Sequence, residues 1–312
     1  MNKNSTPSVN KNFLYEKVTK QILQSMMRDE VVPWRKTWFT KENLPLYYNP
    51  VSGTKYKALN RMLLGEPGQY ITMKQAKDNG GTIRKGSKGK FVVMWSPFIP
   101  AKDKQLKEEL ESKGEDWTYL QKWMLKYYYV FNVNDFDGLK IKTPEAPAPM
   151  QEAQAPVDIA EMVIDDYTIN ERVRVDEHSG NAPGYDAMED TVTMPQKQEF
   201  TYEEDYFAAL FEQLVHSTSA ECRLDRRKEF KSMAEGQMPV KEALIAEIAT
   251  SMMLAVVGLD RKETVDQQKA EVRRWMEAFE NDFMLIVNAS TKAETAAEMV
   301  LGKFAAGNFS EN

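Results

Sequence analysis

From Phe13 onward, apolar residues fall at Leu14, Val18, Ile22 and Met26, with polar positions between them. A spacing of three to four residues places them on one stripe and predicts an amphipathic helix that closes near Pro33. The polar residues 1–12 before it read as a tail. Short aromatic runs flank Asn49-Pro50-Val51-Ser52-Gly53, so Tyr47 to Tyr56 reads as a hairpin. Helices are predicted over Ala58–Leu64 and Thr72–Asn79, the second stopped by Gly80-Gly81. FVVMW (Phe91–Trp95) and KYYYVFNV (Lys126–Val133) are β-branched and aromatic and read as core strands. A charged helical insertion, about Lys102–Lys122, lies between them.

Beyond these strands the pattern turns helical. Val157–Asp166 predicts one helix, and an acidic strand-like region ending in DTVTMP (Asp190–Pro195) follows. Thr201–His216, Pro239–Val257, Val265–Leu285 and Thr291–Phe304 predict four more helices. KTPEAPAPMQEAQAP (Lys142–Pro156) has the Pro/Ala/Gln/Glu composition of a spacer. Charge changes sign at the same place. Residues 1–142 hold 25 Lys and Arg against 14 Asp and Glu, and the rest of the chain holds 16 against 33. Both signals set a boundary at 142–156, between a basic unit at 13–141 and an acidic one at 157–305, with 306–312 as a tail. The expected class is α+β, with a mixed α/β N-terminal domain and a mostly helical C-terminal one.

Composition narrows the function classes. At 42% hydrophobic and 28% charged, the 312 residues can form a core, which excludes a wholly disordered chain. No run approaches the ~18 apolar residues of a membrane span, and MNKNSTPSVNKN has no apolar signal-peptide core. A cytoplasmic protein without a membrane partner is expected. The single cysteine, Cys222, excludes a disulfide framework and a Cys-rich zinc site. Its neighbours Arg223, Arg226 and Arg227 would favour a thiolate, but no His stands in its motif to make it a nucleophile. The two histidines, His178 and His216, leave any His-based metal site short of ligands; His178, in VDEHSGN, reads as a solvated loop residue.

The basic half carries two motifs. PWRKTW (Pro33–Trp38) sets two indoles and two cations within six residues, and KGSKGK (Lys85–Lys90), preceded by Arg84, is a glycine-spaced basic loop. Rings stack on unpaired bases, cations follow phosphates, and glycines admit close backbone approach, a combination suited to single strands. The alternative is that the tryptophans are core residues, the favoured reading for Trp95 within FVVMW. In order, YEKVTKQI, PWRKTW, YNPVSGTKYKALN, ITMKQAKDNGGTIRKGSKGKFVVMW and YYYVFNVNDFDGL resemble the N-terminal domain of ArdC-type antirestriction proteins, shared with TraC-type plasmid primases. The resemblance implies sequence-independent single-stranded DNA binding and protection of incoming mobile-element DNA, with a host restriction or defence protein as a further partner. Its matching positions are Trp34, Arg35, Lys36, Trp38, Tyr56, Asn60, Arg84, Lys85 and Lys88. Lys57 joins them in the same surface, where the family often has a small residue, and Thr37 stands where it often has Pro.

In the acidic half, Glu212 and His216 are spaced i, i+4 on a helical stretch and share one face. That is the spacing of HExxH, in which two histidines hold zinc and the glutamate activates water. A lone His on a helix is more often structural. LFEQLVHSTSAECRLDRR, GYDAMEDTVTMP and VKEALIAEIA resemble the zincin-type metallopeptidase domain of the same proteins, whose usual run is close to LFHELVHWTGHPSRLNR. By that resemblance Glu212 replaces the first histidine and Gln213 the catalytic glutamate. Ala243 falls at the downstream ligand position and Glu247 four residues later. Glutamine has no basic form at accessible pH, and loss of a general base removes a factor of about 10²–10⁴ in rate. Glu212, His216 and Glu247 remain candidates for a divalent ion, the alternative being an empty site with no cofactor. Three readings follow: a single-stranded-DNA-binding protein with an inactive zincin-like domain, a metallopeptidase with Glu/His/Glu ligands, or an interaction adaptor with a vestigial DNA surface.

Overall fold

The computed structural model describes residues 12–36, 47–141, 155–180, 182–229, 239–261 and 263–305. The first helix, α1 (Phe13–Asp29), buries Leu14, Val18, Ile22 and Met26, the stripe its spacing predicts. α2 (Pro33–Lys36) is a single turn. The Asn49–Gly53 turn joins Tyr48 and Lys55 in a single antiparallel bridge, and α3 (Ala58–Leu64) ends at Gly65. β1 (Tyr70–Thr72) leads into α4 (Met73–Asp78), whose cap Thr72 accepts from the Gln75 backbone N–H in a capping box. β2 (Thr82–Ile83) pairs later with β5 (Phe136–Asp137).

β3 (Lys90–Phe98) and β4 (Lys122–Asn132) form a long antiparallel hairpin, and β1 adds to the far edge of β4. Both strands are longer than the apolar runs that mark them. The charged insertion is correspondingly shorter, α5 spanning only Lys104–Lys113. The hairpin is core only in part: Val92 and Val130 are buried on one side, while Trp95, Tyr127 and Tyr129 are exposed on the other. Alternation along a strand sends every second residue to the opposite face, and this face is not fully covered.

In the C-terminal half, α6 (Pro156–Glu171) starts inside the residues read as spacer and runs beyond Asp166 to Arg172, its left-handed cap. The rest of that spacer, 142–154, lies outside the described residues. β6 (Arg174–Glu177), β7 (Gly184–Asp186) and β8 (Thr191–Met194) form a three-stranded sheet in the order β6-β8-β7. The helices α7 (Glu203–Ser217), α8 (Val240–Val257), α9 (Val265–Asn281) and α10 (Leu285–Leu301) complete the fold. The extended backbone of Asp282 breaks the apolar pattern into α9 and α10, its carboxylate accepting from the Met284 N–H at 2.8 Å.

The halves differ in charge but share a core. Leu14, Val18, Ile22, Met26 and Trp34 belong to one buried cluster with Val272, Trp275, Phe279, Ile286 and Val300. Burial stabilises each large apolar side chain by about 1.5–3 kcal/mol, so the α1 stripe is held by the acidic half. Polar links cross as well. Thr19 Oγ1 donates to the Phe283 carbonyl at 2.6 Å, and the Ala58 N–H donates to Glu294 Oε2 at 3.3 Å. The change in composition at 142–156 marks a change of surface, while packing across it is continuous.

Candidate functional site

α7 carries the HExxH-spaced residues because Phe207, Leu210, Phe211 and Leu214 anchor one side of it in the core. Gln213 and His216 are buried, and Glu212 is half-buried with no hydrogen bond or ion pair among the described residues. His216 Nδ1 makes no hydrogen bond and lies 3.5 Å from Oε1 of Glu242, in the first turn of α8. Arg226 holds that carboxylate from the other side, Nε donating to Oε2 at 3.0 Å and Nη2 to Oε1 at 2.6 Å. The guanidinium also donates to Thr218 Oγ1 at 2.8 Å and the Val215 carbonyl at 3.0 Å, which fixes it under the end of α7. Burial pushes the Glu242 carboxyl up, but the contacts from His216 and Arg226 outweigh it and hold the group below the usual carboxylate range.

The acid that faces His216 is therefore Glu242, one residue before Ala243, which packs against the core. Sequence reasoning missed it. The available signal was a carboxylate in the first turn of the largely apolar α8, with Arg226 on the preceding loop. Glu247 does not join Glu212 and His216, contrary to the Glu/His/Glu set. Five residues beyond Glu242, it points to another side of α8, where Oε1 accepts from Trp34 Nε1 at 3.0 Å and from Trp275 Nε1 at 2.9 Å. Arg274 pairs with its second oxygen. Among the described residues no group of three or more His, Cys, Asp or Glu side chains is placed to hold a metal ion. With Glu242 taken by Arg226, the donors left around His216 do not fit the three-ligand zinc site of a peptidase.

Trp34 and Arg35 sit in that second pocket. Trp34 is 0% exposed and packs edge-on against Trp275 at 6.0 Å and Phe279 at 6.2 Å. It is a core residue here, not a stacking platform, because its only polar atom is satisfied by Glu247. Arg35 Nη2 contacts Glu263 Oε1 at 2.7 Å and Glu271 Oε1 at 3.3 Å, so its charge is also spoken for. Burial and the adjacent Glu271 push the Glu247 carboxyl well above its usual range, with Arg274 and Trp34 pulling it down by less.

The remaining sequence candidates divide. Tyr56 is buried and donates to the Tyr70 carbonyl at 3.0 Å. Asn60 pairs with the edge of β3, donating to the Val93 carbonyl and accepting from its N–H, both at 2.8 Å. These two are structural. Lys36 closes α2, its side chain outside the described residues, as is Trp38. Lys57, Arg84, Lys85 and Lys88 are exposed. Gly86, at φ +94°, lets the Arg84–Lys88 turn fold back with its lysines in solvent. Arg84 braces the turn, its Nε donating to Asp137 Oδ1 at 2.8 Å.

Comparison with known proteins places this geometry. The family model for the N-terminal domain of the anti-restriction factor ArdC matches residues 12–131, and that for a zincin-like metallopeptidase matches residues 163–292. Two DNA primases TraC of Escherichia coli are 28% identical over 298 and 300 residues, each alignment covering 92% of this chain. The chain spans 20% and 27% of those primases. The crystal structure of the antirestriction ArdC protein from plasmid R388 is 28% identical in its metal-free form, with a TM-score of 0.65 over 96% of this chain and 99% of that one. Its Mn(II)-bound form gives 0.66 over 94% and 98%. With both domain models matched in order on a shared fold, the chain carries an ArdC-type N-terminal domain followed by a zincin-like metallopeptidase domain, the fold of the R388 ArdC protein.

Proposed function

We propose that this protein binds single-stranded DNA without reading its sequence, protects incoming mobile-element DNA from restriction, and uses its zincin-like domain as a non-catalytic scaffold. The observation that carries the binding is the exposed, glycine-spaced Arg84–Lys88 turn on a half with an excess of 11 positive charges, within an ArdC-type N-terminal domain. The scaffold role is supported by buried Gln213 in the place of a general base and by Glu242, which Arg226 engages through both oxygens. A host restriction or defence protein is the second partner this reading implies.

Fluorescence anisotropy with labelled single-stranded and duplex oligonucleotides, across a salt series, tests the binding. Preference for the single strand that weakens with salt supports it, and equal affinity for both forms overturns it. The competing metallopeptidase reading predicts chelator-sensitive cleavage of casein, and its detection would end the scaffold assignment.

A further inference from the structure

We propose that the β3–β4 hairpin, rather than the Pro33–Trp38 motif, forms the track on which the single strand lies, its bases stacking along Trp123, Trp95, Tyr127 and Tyr129. The inference rests on the single-strand reading above and assigns it a surface.

The register puts these rings on one face. Phe91 faces Tyr129, Val93 faces Tyr127, Trp95 faces Leu125 and Pro97 faces Trp123. Tyr129 and Tyr127 are 47% and 44% exposed, Trp95 38% and Trp123 59%. Four large aromatics open to water on one strand pair are costly as decoration, and a face of this kind marks a binding surface. At ~3.4 Å per residue, Tyr129 to Trp123 is a path of about 20 Å, with side chains on one face about 7 Å apart.

Charge selects the occupant. Neither strand contains a carboxylate, and their lysines, Lys90, Lys122 and Lys126, alternate onto the opposite face. Lys17 of α1 leans over the same face, its Nζ 4.8, 4.5 and 5.4 Å from the ring centres of Phe91, Tyr127 and Tyr129 and donating to Tyr129 Oη at 3.2 Å. The exposed Arg84, Lys85 and Lys88 turn feeds directly into β3 at the Tyr129 end. Gly89 belongs to the track: a Cβ there would come within 2.9 Å of the Phe131 ring, next along β4 on this face. Rings with Lys17 over them and the basic turn at one end, on strands that carry no carboxylate, fit a polyanion with exposed bases, and duplex DNA offers no free base faces.

The test uses the full chain and a labelled oligo(dT) at about 0.1 M salt. The variant Trp95→Ala/Trp123→Ala/Tyr127→Ala should lose affinity about tenfold or more, and Trp123→Phe should keep most of it, because stacking tolerates any aromatic ring. Tryptophan fluorescence of the wild type should fall on binding, and less so in Trp123→Phe. Circular dichroism and thermal melting must match the wild type, as expected for exposed positions. Wild-type binding that the triple variant retains in full overturns the track while leaving single-strand binding intact. Retained binding with a change in oligomeric state assigns the face to a second copy of the chain and overturns it too. Absence of wild-type binding overturns both.

Discussion

The indole N–H of Trp34 donates to Oε1 of Glu247 at 3.0 Å, joining two residues 213 positions apart in the chain. Trp275 donates to the same carboxylate at 2.9 Å, so one glutamate of the acidic half organises indoles from both halves. Trp34→Ala would open a cavity beneath α8 and α9 and should cost about 3–5 kcal/mol. Trp34→Phe, which keeps the packing and loses one hydrogen bond, should cost less, about 1–3 kcal/mol including the weakened support of a buried carboxylate. Denaturant midpoints of the three proteins measure both. A Trp34→Ala protein as stable as the wild type would instead return this residue to the surface.

The same pocket sets a pH dependence. Glu247 carries its proton to higher pH in the folded protein than in the unfolded chain. A folded state that binds more protons loses stability as pH rises, from the ordinary carboxylate range up through the raised folded value. Glu247→Gln should therefore flatten the fall in melting temperature on the alkaline side of that range. Glu242 has the opposite sign, being held below its ordinary value, so its contribution is present above that range and is lost on acidification. Melting curves from acid to neutral pH that are identical for wild type and Glu247→Gln would contradict the assignment.

Arg226 and Glu242 form a buried pair, with His216 as the third member. Replacing Arg226 by Met leaves an uncompensated carboxylate beneath α7 and should cost about 3–5 kcal/mol. The double change Arg226→Met/Glu242→Leu should recover a large part of that loss, because neither charge then remains buried alone. A double variant no more stable than Arg226→Met would show that packing, not charge, governs the site.

Metal should matter little to the fold. Incubation with a chelator is expected to leave the melting temperature unchanged, since Glu242 is engaged by Arg226 and Glu247 by two indoles and Arg274. Glu212→His/Gln213→Glu restores two motif positions and should raise zinc affinity, read by calorimetry. If it does not, the lack of a carboxylate at Ala243 is the remaining obstacle.

On the basic turn, Lys85→Ala and Lys88→Ala should each weaken oligonucleotide binding at low salt. If each side chain contacts one phosphate, each change should also reduce the slope of log affinity against log salt by about 0.7. Unchanged slopes would place the phosphate path elsewhere.

Local pattern alone specified much of this protein. The stripe of α1, the span of α3, the helical stretch around His216 and the fold class follow from periodicity and turn residues, since such signals act within a few residues of chain. The broken HExxH motif was also legible, being a matter of residue identity at fixed spacing. Tertiary structure decided which faces are covered and which charges meet. PWRKTW reads first as a stacking motif with core as the alternative, and only the docking of α2 against α8 and α9 makes Trp34 core and pairs Arg35 with Glu263 and Glu271. KYYYVFNV reads as an interior strand because tyrosine favours strands wherever they lie, yet Tyr127 and Tyr129 face water because no element packs fully over that side. Glu242 and Glu247 differ by five positions on one helix, about 140° apart around its axis, so one meets Arg226 and the other Trp34. Rotation about a helix is set by sequence; which partner waits on each side is set by the packing of distant segments.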